Sequence, residues 1–153
     1  MLEGMKQLSG LILVLLIFTS CSSVLKRSNE LLPFTSDGCS MSPNGTPKEP
    51  EAFLQCCVRH DYHYWQGGTV EQKAGADEEL RSCISNASDK KTGDLYWVGV
   101  RVGGGPEFKT PFRWGYGWRQ HRGYDALSAD EEEQVFTKTK DIDWDGIYRS
   151  LKK

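Results

Sequence analysis

The sequence predicts a mainly α fold organised on two antiparallel, disulfide-linked helices, and three observations carry that prediction. Set on a helix at 100° per residue, Phe53, Cys56, Cys57, His60, Asp61 and Tyr64 share an arc of roughly 140°, while Arg59, Tyr62 and Trp65 point elsewhere. Gly67-Gly68 then ends this helix, and Thr69 with Gln72 forms a capping box that opens another at once, so the pair runs antiparallel. Finally, the N-terminus reads as an export signal, which leaves Cys39, Cys56, Cys57 and Cys83 in an oxidising compartment. Two disulfides are the default there, with three possible pairings.

Residues 1–20 are expected to be a signal peptide. The apolar run 8–18 follows Lys6 and is shorter than the roughly 20 residues that a spanning helix needs. Its end, Phe18-Thr19-Ser20-Cys21, resembles the lipobox of bacterial lipoproteins, which implies that Cys21 is lipidated and becomes the mature N-terminus. Ser22 after that cysteine resembles outer-membrane sorting in Gram-negative bacteria. The expected location is therefore the bacterial cell envelope, lipid-anchored in the outer membrane and facing the periplasm. Cleavage near Ser20 without lipidation would instead leave a free secreted protein. Loss of residues 1–20 removes one base, Lys6, and one acid, Glu3, so the formal net charge stays at −2. That balance excludes nucleic acid as the expected partner.

Residues 21–34 are polar apart from Leu31-Leu32 and read as a tether to a single domain spanning 35–153. Residues 35–50 are dense in Gly, Pro, Ser, Asn and Asp, which makes a compact loop pinned by Cys39, and Pro47 and Pro50 stop a helix from starting earlier. The first helix is expected over 51–65, with Glu49 and Glu51 at its positive end. On the second, Val70, Ala74, Leu80, Ile84 and Ala87 form an apolar stripe with Asp77 in its middle. A carboxylate on a buried face needs a partner, and His60 is the candidate. Cys83, at the flank of that stripe, is placed to reach back to Cys56.

The domain's core is expected over 37–88 and an accessory region over 95–153. Residues 86–94 read as a polar connection. Residues 95–102 suit either a strand or a short third helix, and periodicity does not decide between them. The aromatic and Gly-rich segment 111–118 suits a cover for the helical core or a rim facing lipid. Ser128 with Glu131 forms a second capping box, opening a short acidic helix, and Trp144, Ile147, Tyr148 and Leu151 make a small amphipathic helix at the C-terminus.

The chemistry lies in a His on a disulfide-clamped helix, an Asp beside it, a Tyr one turn on and a buried Asp facing them. An imidazole with an ordinary pKa near 6.5 takes a proton from water at neutral pH, and an Asp on its other nitrogen fixes the tautomer. Asp61, turned about 100° from His60, is placed to hold a cation beside the same water.

Cys56-Cys57-x-x-His60-Asp61-x-x-Tyr64 resembles the active-site helix of the secreted phospholipases A2, and Asp77, six residues before Cys83, keeps that family's spacing. The loop around Gly38-Cys39 resembles its calcium-binding loop. The resemblance covers 37–83 and implies a phospholipase A2-like core, calcium as cofactor and a phospholipid or membrane surface as partner. It assigns His60 as general base, Asp77 as its orienting partner and Tyr64 as a donor to Asp77. Calcium would be held by the Asp61 carboxylate and backbone carbonyls at Gly38, Ser40 and Ser42. The implied pairings are Cys39–Cys57 and Cys56–Cys83, and the implied activity is calcium-dependent hydrolysis of phospholipid ester bonds.

The chain also departs from the family pattern. His63 and Ala76 replace the two halves of one family disulfide, and the loop reads Cys-Ser-Met-Ser-Pro-Asn-Gly where the family has CGxGG. Two other readings follow: an envelope lipoprotein that keeps the scaffold and binds calcium or lipid without turnover, and a zinc-binding module built on His60, Asp61 and His63.

Overall fold

The computed structural model describes residues 29–152. The signal peptide expected over 1–20 and the lipidation expected at Cys21 lie outside the described residues. The described chain contains five helices, α1 (Leu54–Gln66), α2 (Val70–Ala87), α3 (Lys90–Gly103), α4 (Ala129–Lys140) and α5 (Trp144–Leu151), and no strand longer than an isolated bridge.

Helix α1 starts three residues later than expected, because residues 49–53 form turns before it. In those turns Ala52 N–H donates to Glu49 O at 3.1 Å and Phe53 N–H to Asn44 O at 2.7 Å. Helix α2 begins where the sequence places it: Thr69 accepts from Gln72 N–H, and the Gln72 side chain accepts from Thr69 N–H at 2.8 Å. Helices α1 and α2 are antiparallel, since His60 meets Asp77 toward one end while Cys56 is bonded to Cys83 toward the other. The second disulfide joins Cys39 to Cys57 and fixes the loop to α1. The fold is thus mainly helical and carries both disulfides.

Between α2 and α3 only Ser88 and Asp89 intervene, which corrects the polar connection expected over 86–94. Asp89 caps α3 by accepting from Lys91 and Thr92 N–H groups at 2.8 and 3.1 Å. The ambiguous segment 95–102 is therefore helical. α3 packs antiparallel on α2 through Arg81 with Asp94 and Lys73 with Val100 O. The crossing is close at Gly93, where an added Cβ would lie 2.1 Å from Ser85 Oγ and 2.6 Å from Arg81 O.

Helix α1 is buried on more of its circumference than the sequence arc suggests. Phe53, Cys56, Cys57, Leu80 and Ile84 pack on one side, as expected. Leu54, Val58 and Trp65, at about 100–140° on the same wheel, pack on the other side with Leu31, Phe34 and Trp118. The buried arc is roughly 200° wide. Leu31 and Phe34 belong to that second core, so this part of the tether expected over 21–34 is packed into the domain; residues 21–28 lie outside the described residues. Leu31 bridges Trp118, Leu32 N–H donates to Gly117 O at 2.8 Å, and Gln134 of α4 bonds both Leu31 N–H and Asn29 O at 2.9 Å.

The segment 114–118, Trp-Gly-Tyr-Gly-Trp, covers this end of the core and completes α1. The last carbonyls of a helix lack intrahelical partners. Here Tyr64 O accepts from Gly115 N–H at 2.7 Å, Trp65 O from Gly117 N–H at 3.2 Å and Gln66 O from the Trp118 indole at 2.7 Å. The Trp114 indole donates to Gly68 O at 2.8 Å. Glycine is required at two of these positions: Gly115 has φ 73°, and a Cβ on Gly117 would lie 2.2 Å from the Trp65 ring.

Candidate active site

Tyr64 and His60, one turn apart on α1, point at Asp77 of α2. His60 Nε2 lies 3.1 Å from Asp77 Oδ1, and the Tyr64 hydroxyl donates to the same oxygen at 2.6 Å. All three side chains are buried, Asp77 completely. The cross-links explain why they meet: Cys56–Cys83 ties α1 to α2, and Cys39–Cys57 ties the loop to the residue three positions before His60.

Electrostatics differ across this group. Burial pushes the His60 imidazole below its ordinary value, against the opposing pull of its bond to Asp77. Burial acts to raise the Asp77 carboxyl too, but hydrogen bonds from His60, Lys73 and Tyr64 outweigh it and leave Asp77 below the usual carboxylate range. Burial and the neighbouring Asp77 push the Tyr64 phenol up, so it acts as a donor. The arrangement is a neutral imidazole held against an ionised carboxylate. That suits proton uptake at Nδ1, the ring nitrogen not engaged by Asp77.

His60, Asp61 and Tyr64 line one cavity of about 420 Å³ together with Gly38, Ser40 and Ser42. Its remaining wall is largely apolar, with Leu80, Leu95, Val100 and Phe112 among the contributors. Every residue assigned above to the base, its partner or the cation is thus at this cavity or, for Asp77, directly behind it.

Asp61 is buried, and its Oδ2 accepts from the Ser36 hydroxyl at 2.6 Å. Burial, with the charge of nearby Asp37 in addition, raises its carboxyl well above the usual range, against the bond from Ser36. No ion pair of Asp61 is found among the described residues. Asp61 and the loop residues Gly38, Ser40 and Ser42 line the same cavity, and carboxylate and carbonyl oxygens are the donor type that a hard cation such as calcium takes. The loop itself is built on Gly38 at φ 80°, with Cys39 N–H donating to Asn44 Oδ1 at 2.9 Å and Ser42 N–H to Cys39 O at 2.9 Å. Met41 stands at φ 61°, a conformation rare for a residue with a side chain, and is almost fully exposed.

His63 lies apart, half-buried, with Nε2 3.3 Å from Glu79. The four cysteines at 39, 56, 57 and 83 are all in disulfides, so none is a thiolate for zinc.

Two contributors are not named by the sequence reading. Lys73 is buried, and its Nζ donates to Asp77 Oδ2 at 2.8 Å and to Val100 O at 3.2 Å. Its position four residues before Asp77, on the same face, is the signal that marks it. The expected stripe on α2 is accordingly rotated: Lys73, Ala76, Asp77, Leu80 and Ile84 are buried, whereas Val70 and Ala87 are exposed. Ser36 is the second, and nothing local in the sequence couples it to Asp61.

No protein-family model, curated protein or solved structure matches this chain.

Proposed function

We propose that the protein is a calcium-dependent, phospholipase A2-like hydrolase of phospholipid ester bonds. The observation that supports this reading best is the His60–Asp77 pair, reinforced by Tyr64, at the wall of an apolar cavity that Asp61 and the 38–42 loop also line. In this reading His60 Nδ1 takes a proton from a water molecule as its oxygen attacks the ester carbonyl. Asp77 stabilises the imidazolium that forms, and His60 then returns the proton to the departing alkoxide. No protein nucleophile is used. The Asp61 carboxylate and the carbonyls of Gly38, Ser40 and Ser42 would hold calcium, which supplies positive charge for the substrate phosphate and the developing oxyanion. The apolar wall accommodates an acyl chain.

The same reading places the protein in the bacterial envelope, attached through lipidated Cys21 to the outer membrane and facing the periplasm. The two disulfides support an oxidising compartment. The test is fatty-acid release from phospholipid vesicles with and without calcium, with His60→Ala and Asp61→Ala as controls. Calcium binding with no release from the unaltered protein would sink the enzyme reading.

A second reading is a lipoprotein that binds calcium or lipid without turnover. It draws support from the Ser36 hydroxyl, which already occupies one oxygen of Asp61.

A further inference from the structure

We propose that Lys73 is the positioning residue that sets the direction of the hydrogen bond between His60 and Asp77. The inference rests on the reading of His60 as the base.

Each oxygen of the fully buried Asp77 has its own partners. Oδ1 accepts from Tyr64 and faces His60 Nε2, both on α1, while Oδ2 faces Lys73 Nζ of α2 at 2.8 Å. Among the described residues the other Lys or Arg paired with Asp77 is Arg101 of α3, 3.6 Å from Oδ2 and about two-fifths exposed. Lys73 is therefore the closer and the buried counter-charge. A second hydrogen bond, to Val100 O of α3 at 3.2 Å, and the Tyr64 ring 5.1 Å from Nζ hold the ammonium in place.

The consequence concerns which nitrogen of His60 carries the proton. An ionised carboxylate only accepts, so His60 Nε2 must donate to it and Nδ1 keeps the lone pair that takes a proton from water. Without the ammonium, a carboxylate buried this completely takes up a proton. Protonated Asp77 would donate to Nε2, the imidazole proton would sit on Nδ1, and the base would be blocked with the two helices unmoved. The hydrogen bond from Tyr64 does not substitute for Lys73, because it supplies no charge and goes to the oxygen already shared with His60.

The test is the tautomer of His60, read from imidazole ¹⁵N shifts at neutral pH, alongside steady-state fatty-acid release. Unaltered protein and Lys73→Arg should show the Nε2–H form. Lys73→Met should show Nδ1–H, and lower kcat by about 100-fold at unchanged KM, with far-UV circular dichroism and both disulfides retained. An Nδ1–H tautomer in the unaltered protein overturns the proposal, and so does a folded Lys73→Met that keeps Nε2–H. Should Lys73→Met not fold, the tautomers of the unaltered protein and of Lys73→Arg decide. Absence of fatty-acid release from the unaltered protein would remove the hydrolase reading, while the tautomer would still decide the role of Lys73.

Discussion

His60 and Asp77 sit on different helices, seventeen residues apart, yet Nε2 and Oδ1 are 3.1 Å from each other in a site that excludes water from the carboxylate. If this pair is the proton-transfer machinery, His60→Ala and Asp77→Ala should each lower fatty-acid release by at least about 100-fold. Release from vesicles at saturating calcium measures it, with circular dichroism reporting that the helices persist.

Tyr64→Phe removes one donor from an ionised, buried acceptor and leaves the ring in place. It should cost about 1.5–3 kcal/mol of stability, the usual worth of a hydrogen bond to a charged group. Urea unfolding measures the loss, and an unchanged midpoint would mean that Lys73 and His60 already satisfy Asp77.

Asp61 gives a pH signature of known sign. Its carboxyl is raised in the folded protein, so between the ordinary carboxylate range and the raised value the folded state binds more protons than the unfolded one. Stability therefore falls as pH rises through that window. Without calcium, Asp61→Asn should be more stable than the unaltered protein at pH 7 and should lose that slope. Calcium should stabilise only the unaltered protein, by binding the folded state. Thermal midpoints at several pH values, with calcium and with chelator, check all three.

Replacing Cys56 and Cys83 together by Ala opens a cross-link between residues separated by 27 positions and should cost about 2–4 kcal/mol. The change should also loosen the approach of α1 to α2. Fatty-acid release should then fall at temperatures where circular dichroism still reports folded helices.

Gly117→Ala should destabilise by about 1–3 kcal/mol, because its Cβ meets the Trp65 ring and the surrounding core is already filled. Gly123→Ala is the control, since an added Cβ there meets nothing within 4 Å. Equal midpoints for the two variants would contradict the packing described for Trp65.

The features legible in the sequence are those written locally. The boxes at Thr69 and Ser128 each need only four consecutive residues, and both open the helices they announce. The amphipathic period of Trp144, Ile147, Tyr148 and Leu151 likewise gives α5. His60 and Asp77 could be paired because each lies on a strongly patterned helix and a tight turn fixes their relative direction. Ser36 was not legible, since its bond to Asp61 depends on how an irregular loop folds back over 25 residues. Lys73 does not stand out in the sequence because lysine is ordinarily exposed, and only the buried charge of Asp77 reverses that preference. Residues 95–102 stay open between strand and short helix in the sequence because β-branched residues 98, 100 and 102 suit a strand; the Asp89 cap together with packing on α2 settles them as helix.

The capping of α1 by residues 114–118 bears on modularity. Residues 37–88 contain the His-Asp pair, both cross-links and the loop, and on paper look like a portable cassette. Yet the terminal carbonyls of the helix that carries His60 are satisfied by residues some fifty positions downstream. A fragment ending at residue 88 would strand those carbonyls and bare Trp65. Grafting experiments should therefore transplant the aromatic clasp along with the two helices it holds shut.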